Sequence, residues 1–134
     1  HYGDGTDQIL DTLGARDWVS HWTAGAAYGE RRQASEFFEH GLPEGLAAME
    51  GCDVVLYQAG ADPHVDDPLG GFLTTPQLRE RDALVFRTLA TMGIPVVWDL
   101  AGGYQQKPDG SIPAVLEIHD NTLRACAEVY LTKA

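Results

Sequence analysis

The 134-residue sequence is poor in cysteine and in positive charge and has no long apolar run, and each shortage excludes something. Its two cysteines, Cys52 and Cys126, stand far apart and form no Cys-x-x-Cys pair. They read as reduced, buried thiols of a cytoplasmic protein. No stretch approaches the roughly 20 apolar residues of a membrane span. The start, His1-Tyr2-Gly3-Asp4, lacks the basic and apolar segments of a signal peptide. Nine Lys and Arg stand against 20 Asp and Glu, for a net charge of -11. That excludes the basic surface on which a sequence-independent grip on nucleic acid depends. It suits a cationic substrate, although solubility alone accounts for it. No Gly-x-Gly-x-x-Gly follows an apolar segment, which argues against a binding module whose Gly102-Gly103 loop holds a phosphate. There are no internal repeats and no low-complexity linker.

What is present is enough for one core. Hydrophobic residues make up 44%, and 15 glycines and seven prolines are not excessive for an ordered chain. The length fits one domain or part of one.

Asp4 or Thr6 caps a first helix through Ile9 and Leu10, stopped by Gly14. Asp17-Trp18-Val19-Ser20-His21-Trp22 reads as a short strand. Thr23 to about Gln33 reads as loop. Pro43 starts a helix that runs to about Met49, and Gly51 ends it. Val54 to Gln58 is a buried strand. Thr75 caps an amphipathic helix through Met92, with Leu78, Val85, Leu89 and Met92 on one face. Gly93 terminates it. Ile94-Pro95-Val96-Val97-Trp98 is a second buried strand, and a last helix runs from Pro113 to Tyr130. Alternating strands and helices predict an α/β protein with a parallel sheet covered on both faces. Three strands make a thin sheet. Together with the abrupt start, this predicts that part of the domain lies upstream.

In open α/β sheets ligands bind beyond the carboxyl ends of the strands. The segment Ala59-Gly60-Ala61-Asp62-Pro63-His64-Val65-Asp66-Asp67-Pro68-Leu69-Gly70-Gly71 leaves one such end with more ligand-grade side chains than a turn requires. Pro63 biases Asp62 away from helical geometry and holds its carboxylate at the strand tip. Ala101-Gly102-Gly103-Tyr104 leaves another end, and its glycines let backbone approach a ligand closely. Asp62 and Tyr104 are therefore expected on one edge of the sheet.

These segments resemble the arginase/deacetylase superfamily, and specifically its zinc-dependent branch of histone deacetylases and acetylpolyamine amidohydrolases. His1-Tyr2-Gly3-Asp4-Gly5-Thr6 is similar to that branch's Asp-x-His-x-Gly-Asp-Gly-Thr segment from its histidine onward. Residues 59–71 resemble its Ala-Gly-x-Asp-x-His-x-x-Asp-Pro-Leu-Gly segment. Residues 101–104 resemble its glycine-rich segment ending in tyrosine. The order matches over nearly the whole chain. Typical relatives carry a longer stretch between the counterparts of Ser20 and Asp62, and residues 23–44 are where the likeness is weakest.

The resemblance implies that residues 1–134 are the C-terminal part of a three-layer fold, with a parallel sheet flanked by helices. It implies zinc ligands at His1 and Asp62, with a third ligand, an aspartate, two positions before His1. It implies that Tyr104 hydrogen-bonds the substrate carbonyl and the developing oxyanion, and that Asp4 stands behind the metal. Ser20 and His21 resemble a structural K+ site, and Leu69, Gly102 and Gly103 line the substrate pocket. The family's histidine pair lies further upstream. A catalytic zinc with three protein ligands and an open position suits amide hydrolysis, and a donor aimed at the oxyanion stabilises the tetrahedral intermediate. The implied substrate is a small acetylated amine, acetylpolyamine more than acetyl-lysine, and the chain alone is expected to be inactive. Expected partners are a second copy or the missing N-terminal half. The alternative is a truncated or degenerate deacetylase-like domain with a structural or binding role. His64, Asp66 and Asp67 are read as shaping the loop, and His40 and His119 as surface or helix residues.

Overall fold

The computed structural model describes residues 32–131. The expected first helix and the 17–22 strand lie outside them, with His1, Asp4, Ser20 and His21. Helical structure runs from Arg32 as α1 (Arg32–Glu36), a π-helical turn (Phe37–Gly41) and α2 (Leu42–Ala47). The expected start at Pro43 is therefore too late. Proline suits a first helical turn, but here the Leu42 N–H reaches back five residues to the Phe37 carbonyl. The widened π turn lets the helix run on into a residue that has no N–H to donate.

Strand β1 (Val55–Gly60) pairs in parallel with β2 (Val96–Ala101), in a register from Val55 opposite Val96 to Gly60 opposite Ala101. Both strands run further than expected at their carboxyl ends. Ala59, Gly60 and Ala101 have weak strand preferences, but cross-strand pairing carries them along. Between the strands lies α3 (Thr75–Met92), and α4 (Pro113–Tyr130) follows β2. The cap of α3 is Thr74 rather than Thr75. Only Thr74 stands three residues before Gln77, and the Thr74 N–H donates to Gln77 Oε1 at 2.9 Å in a capping box. Gly93, at φ 70°, closes the helix as its sequence predicts.

The core has two parts. One lies under the carboxyl end of the sheet and holds Ala61, Leu73, Leu78, Val115 and Ile118. The other holds Leu46, Val85, Leu89 and Ile94, with Val55, Tyr57 and Val96 packed against it. Phe86 is fully buried and meets Tyr57, Trp98 and Tyr130 edge to face, with centroids 5.8, 5.8 and 6.2 Å away. Met92, expected on the buried face of α3, is 38% exposed.

The strands are not buried on both faces among the described residues. Tyr57 and Trp98 turn toward α3, whereas Leu56 is 78% and Val97 60% exposed on the opposite face. The result is a mixed α/β unit with a small parallel sheet packed against helices. No helix among the described residues is long and apolar enough to cross a membrane. Cys52 is exposed and Cys126 half-buried, both unpaired, so the expectation that they are buried does not hold.

Candidate functional site

Asp62 and Tyr104 follow β1 and β2 on the same edge of the parallel pair. The contact between their loops is close. Gly102 has φ 58°, and a Cβ added there would lie 1.9 Å from Asp62 Oδ1. A Cβ on Gly60 would come within 2.8 Å of the same oxygen. The Asp62 carboxylate thus sits in a notch between the two strand ends that only glycine leaves open. Gly103, at φ 93°, is needed for another reason: its Cβ would meet Val115 at 2.6 Å and Ala61 at 3.0 Å. These glycines, expected to let backbone approach a ligand, also make room for the Asp62 carboxylate and for Val115 at the head of α4.

The rest of the loop is built on its other polar residues. The buried Asp67 accepts from Leu69 N–H through Oδ1 at 2.9 Å and from Tyr104 N–H through Oδ2 at 2.8 Å. One carboxylate therefore binds its own turn and the glycine-rich loop together. His64 is buried as well. Its Nδ1 accepts from the Asp66 N–H at 3.1 Å, which leaves Nε2 to donate to Thr75 Oγ at 3.0 Å. A ring so engaged at both nitrogens is a loop brace, as its sequence position predicts. Asp66 is exposed.

Beneath the loop lies a charged cluster that was not expected from the sequence. Asp82 is fully buried and accepts from Tyr57 OH, from Arg81 Nε–H at 2.8 Å and from Thr122 Oγ–H at 2.6 Å. Arg81 Nη1–H donates to the Gly60 carbonyl at 2.8 Å. Arg81 Nη2 is 2.8 Å from Asp82 Oδ1, close enough for ion pairing but not aligned for a hydrogen bond. Arg81 also lies over the Tyr57 ring, 5.9 Å from its centroid. Burial is the main cause that pushes the Tyr57 phenol well above its usual range; Arg81 opposes this and Asp82 adds to it. A signal was present in the sequence: Arg81 and Asp82 lie three and four residues after Leu78 and before Val85, on the apolar stripe of α3.

The expected site residues are only partly brought together. Asp62, Gly102, Gly103 and Tyr104 share one sheet edge, and Asp67 joins them. Tyr104 is 55% and Leu69 56% exposed, and neither lines the apolar groove of about 530 Å³ that runs along β1 past Phe37, Leu46, Met49, Leu56 and Val85. His119 is half-buried on α4 and His40 exposed. Among the described residues no three His, Cys, Asp or Glu side chains form a group able to hold a metal ion. Asp62 is the one expected ligand within that range, since His1 lies outside it.

No family model matches the chain. No solved structure matches it. The chain is 30% identical, over 148 aligned residues, to an uncharacterized protein of Picosynechococcus sp.. The match covers 97% of this chain and 47% of that protein, so the chain spans about half of that relative's length.

Proposed function

We propose that this chain is the C-terminal portion of a zinc-dependent amidohydrolase that removes an acetyl group from an acetylated amine. The observation that carries the reading is the meeting of two motif loops: an added Cβ at Gly102 would lie 1.9 Å from Asp62 Oδ1. The resemblance requires these two loops at one strand edge; a parallel pair brings the strand ends there, and the close approach of Gly102 to Asp62 is the further detail that supports the reading. Asp62 suits one ligand of such a centre. It is an acid at a strand tip, between Gly60 and Gly102, whose lack of a Cβ leaves room for its carboxylate. His1 supplies the second ligand in this reading. Zinc, when bound, polarises the amide carbonyl and acidifies its water. Tyr104 then donates its phenol proton in a hydrogen bond that strengthens as the carbonyl oxygen gains charge.

Asp4, Ser20 and His21 keep the roles that the resemblance implies, behind the metal and at a K+ site. The activity is proposed for the whole protein, of which this chain provides two of the three zinc ligands, His1 and Asp62, and the oxyanion donor. A small acetylated amine is the proposed substrate, which the chain's net charge of -11 does not oppose in a cationic form. Loss of acetyl-amide hydrolysis on exhaustive chelation, with recovery on added zinc, is the expected result for the intact protein. Full activity after verified removal of all metal would rule the reading out.

A further inference from the structure

We propose that Asp67 is a positioning residue: it sets where Tyr104 stands relative to Asp62. This rests on the functional reading above and adds a residue to it. The observation is one buried carboxylate with a separate task for each oxygen. Oδ1 takes the Leu69 N–H at 2.9 Å and closes the turn, and Oδ2 takes the Tyr104 N–H at 2.8 Å across 37 residues of sequence. Asp67 is 4% exposed, so water does not substitute readily for either bond. The backbone of Asp67 is held in turn. Its N–H donates to the His64 carbonyl at 3.0 Å and its own carbonyl accepts from Gly70 N–H at 2.8 Å. The His64 ring is pinned to Thr75 beside the capping box of α3.

The acceptor is therefore held on several sides, whereas the loop it binds depends on few contacts. Gly102 and Gly103 both have positive φ and immediately precede Tyr104, so the backbone there has no side chains to restrict it. The Tyr104 ring is half-exposed and gains little orientation from packing. What fixes the residue is its amide bond to Asp67 and the seating of Gly103 on Val115 and Ala61. A donor meant for an oxyanion acts only at the correct distance, and a displacement of about 1 Å can cost as much as 10²-fold in rate.

Asp67→Ala removes both acceptors. Asp67→Asn keeps the shape but offers one oxygen, so an amide N–H₂ must face one of the two N–H donors. In the zinc-loaded intact protein, kcat is expected to fall about 10–100-fold for Asp67→Ala and less for Asp67→Asn, with KM and zinc content nearly unchanged. The deciding measurement is a double-mutant cycle with Tyr104→Phe. If Asp67 acts through the phenol, Asp67→Ala costs little more once the phenol is gone. An equal fold-loss in the Tyr104→Phe background would overturn the proposal and leave Asp67 a general structural residue. Amide exchange provides a readout that does not depend on catalysis. The Tyr104 N–H is expected to be protected in the wild type and to exchange fast in Asp67→Ala. Equal exchange in both overturns the clamp itself. A wild-type protein without acetyl-amide turnover at full zinc loading removes the functional reading, and the catalytic part of this proposal with it, even where the exchange difference stands.

Discussion

The two faces of the β1–β2 pair both carry large apolar side chains, with Gln58 and Asp99 added on one of them, and they meet different surroundings. On one face Tyr57 and Trp98 surround the fully buried Phe86, and the Tyr57 hydroxyl reaches Asp82. On the other, Leu56 and Val97 are 78% and 60% exposed among the described residues. Alternation along a strand assigns residues to faces, but it does not say which face has a layer above it. A Val-Val-Leu run looks the same in either case. The covered face also shows that burial need not mean uniform apolarity: Asp82 and Arg81 lie between Leu78 and Val85, each of their charges met by hydrogen bonds or by the other.

The largest expected difference between the faces comes from Phe86→Ala. It empties the centre of the covered face, and buried Phe→Ala changes cost about 3–5 kcal/mol. Urea unfolding of the variant measures this directly. A loss below about 1 kcal/mol would mean that α3 does not hold the sheet through this ring. A smaller effect is expected from Tyr57→Phe, which removes one donor from Asp82 and costs about 1–3 kcal/mol. This variant also changes the pH dependence. Because folding raises the Tyr57 pKa, the contribution of the phenol is fully present below its ordinary value of 10.0 and is lost as pH rises beyond it. The wild type should therefore show a component of stability that declines above pH 10, and Tyr57→Phe should lack that component. Identical slopes would detach the phenol from the buried cluster. The smallest effect is expected on the open face, where Leu56→Thr should change stability by no more than about 0.5 kcal/mol. A loss of several times that amount would break the comparison, because it would show Leu56 covered by residues outside 32–131.

Most of the element order was legible in the sequence. The 3.6-residue spacing of Leu78, Val85 and Leu89, the stop at Gly93 and the proline start at Pro113 are local signals, and they place α3 and α4 closely. The misreadings occurred where local signals compete. Thr74 and Thr75 are alike as residues, and the Gln77 side chain selects the first. Pro43 looks like a helix start, and the π turn before it lets the helix begin earlier. Cys52 looked like a core thiol and is exposed, because composition cannot place a lone residue just ahead of a strand. Within the candidate site, Asp62, Gly102, Gly103 and Tyr104 were identifiable from their motif segments. Asp67 was identifiable only as a loop residue, since the identity of its second partner depends on where β2 ends.

The sequence by itself determined that the chain alternates helix and strand, that two apolar strands end in polar or glycine-rich turns, and that the balance of charge is acidic. These follow from side-chain periodicity, capping chemistry and counting, which need no knowledge of distant neighbours. The tertiary structure alone decided that β1 and β2 pair in parallel from Val55–Val96 to Gly60–Ala101. That register sets the rest of the site: it places Gly102 against Asp62, aims the Tyr104 N–H at Asp67, and leaves one face of the sheet covered and the other open among the described residues. The physical reason is that an N–H or a carboxylate carries no mark of its long-range partner. It is satisfied by whichever group the packing of strands and helices brings within about 3 Å.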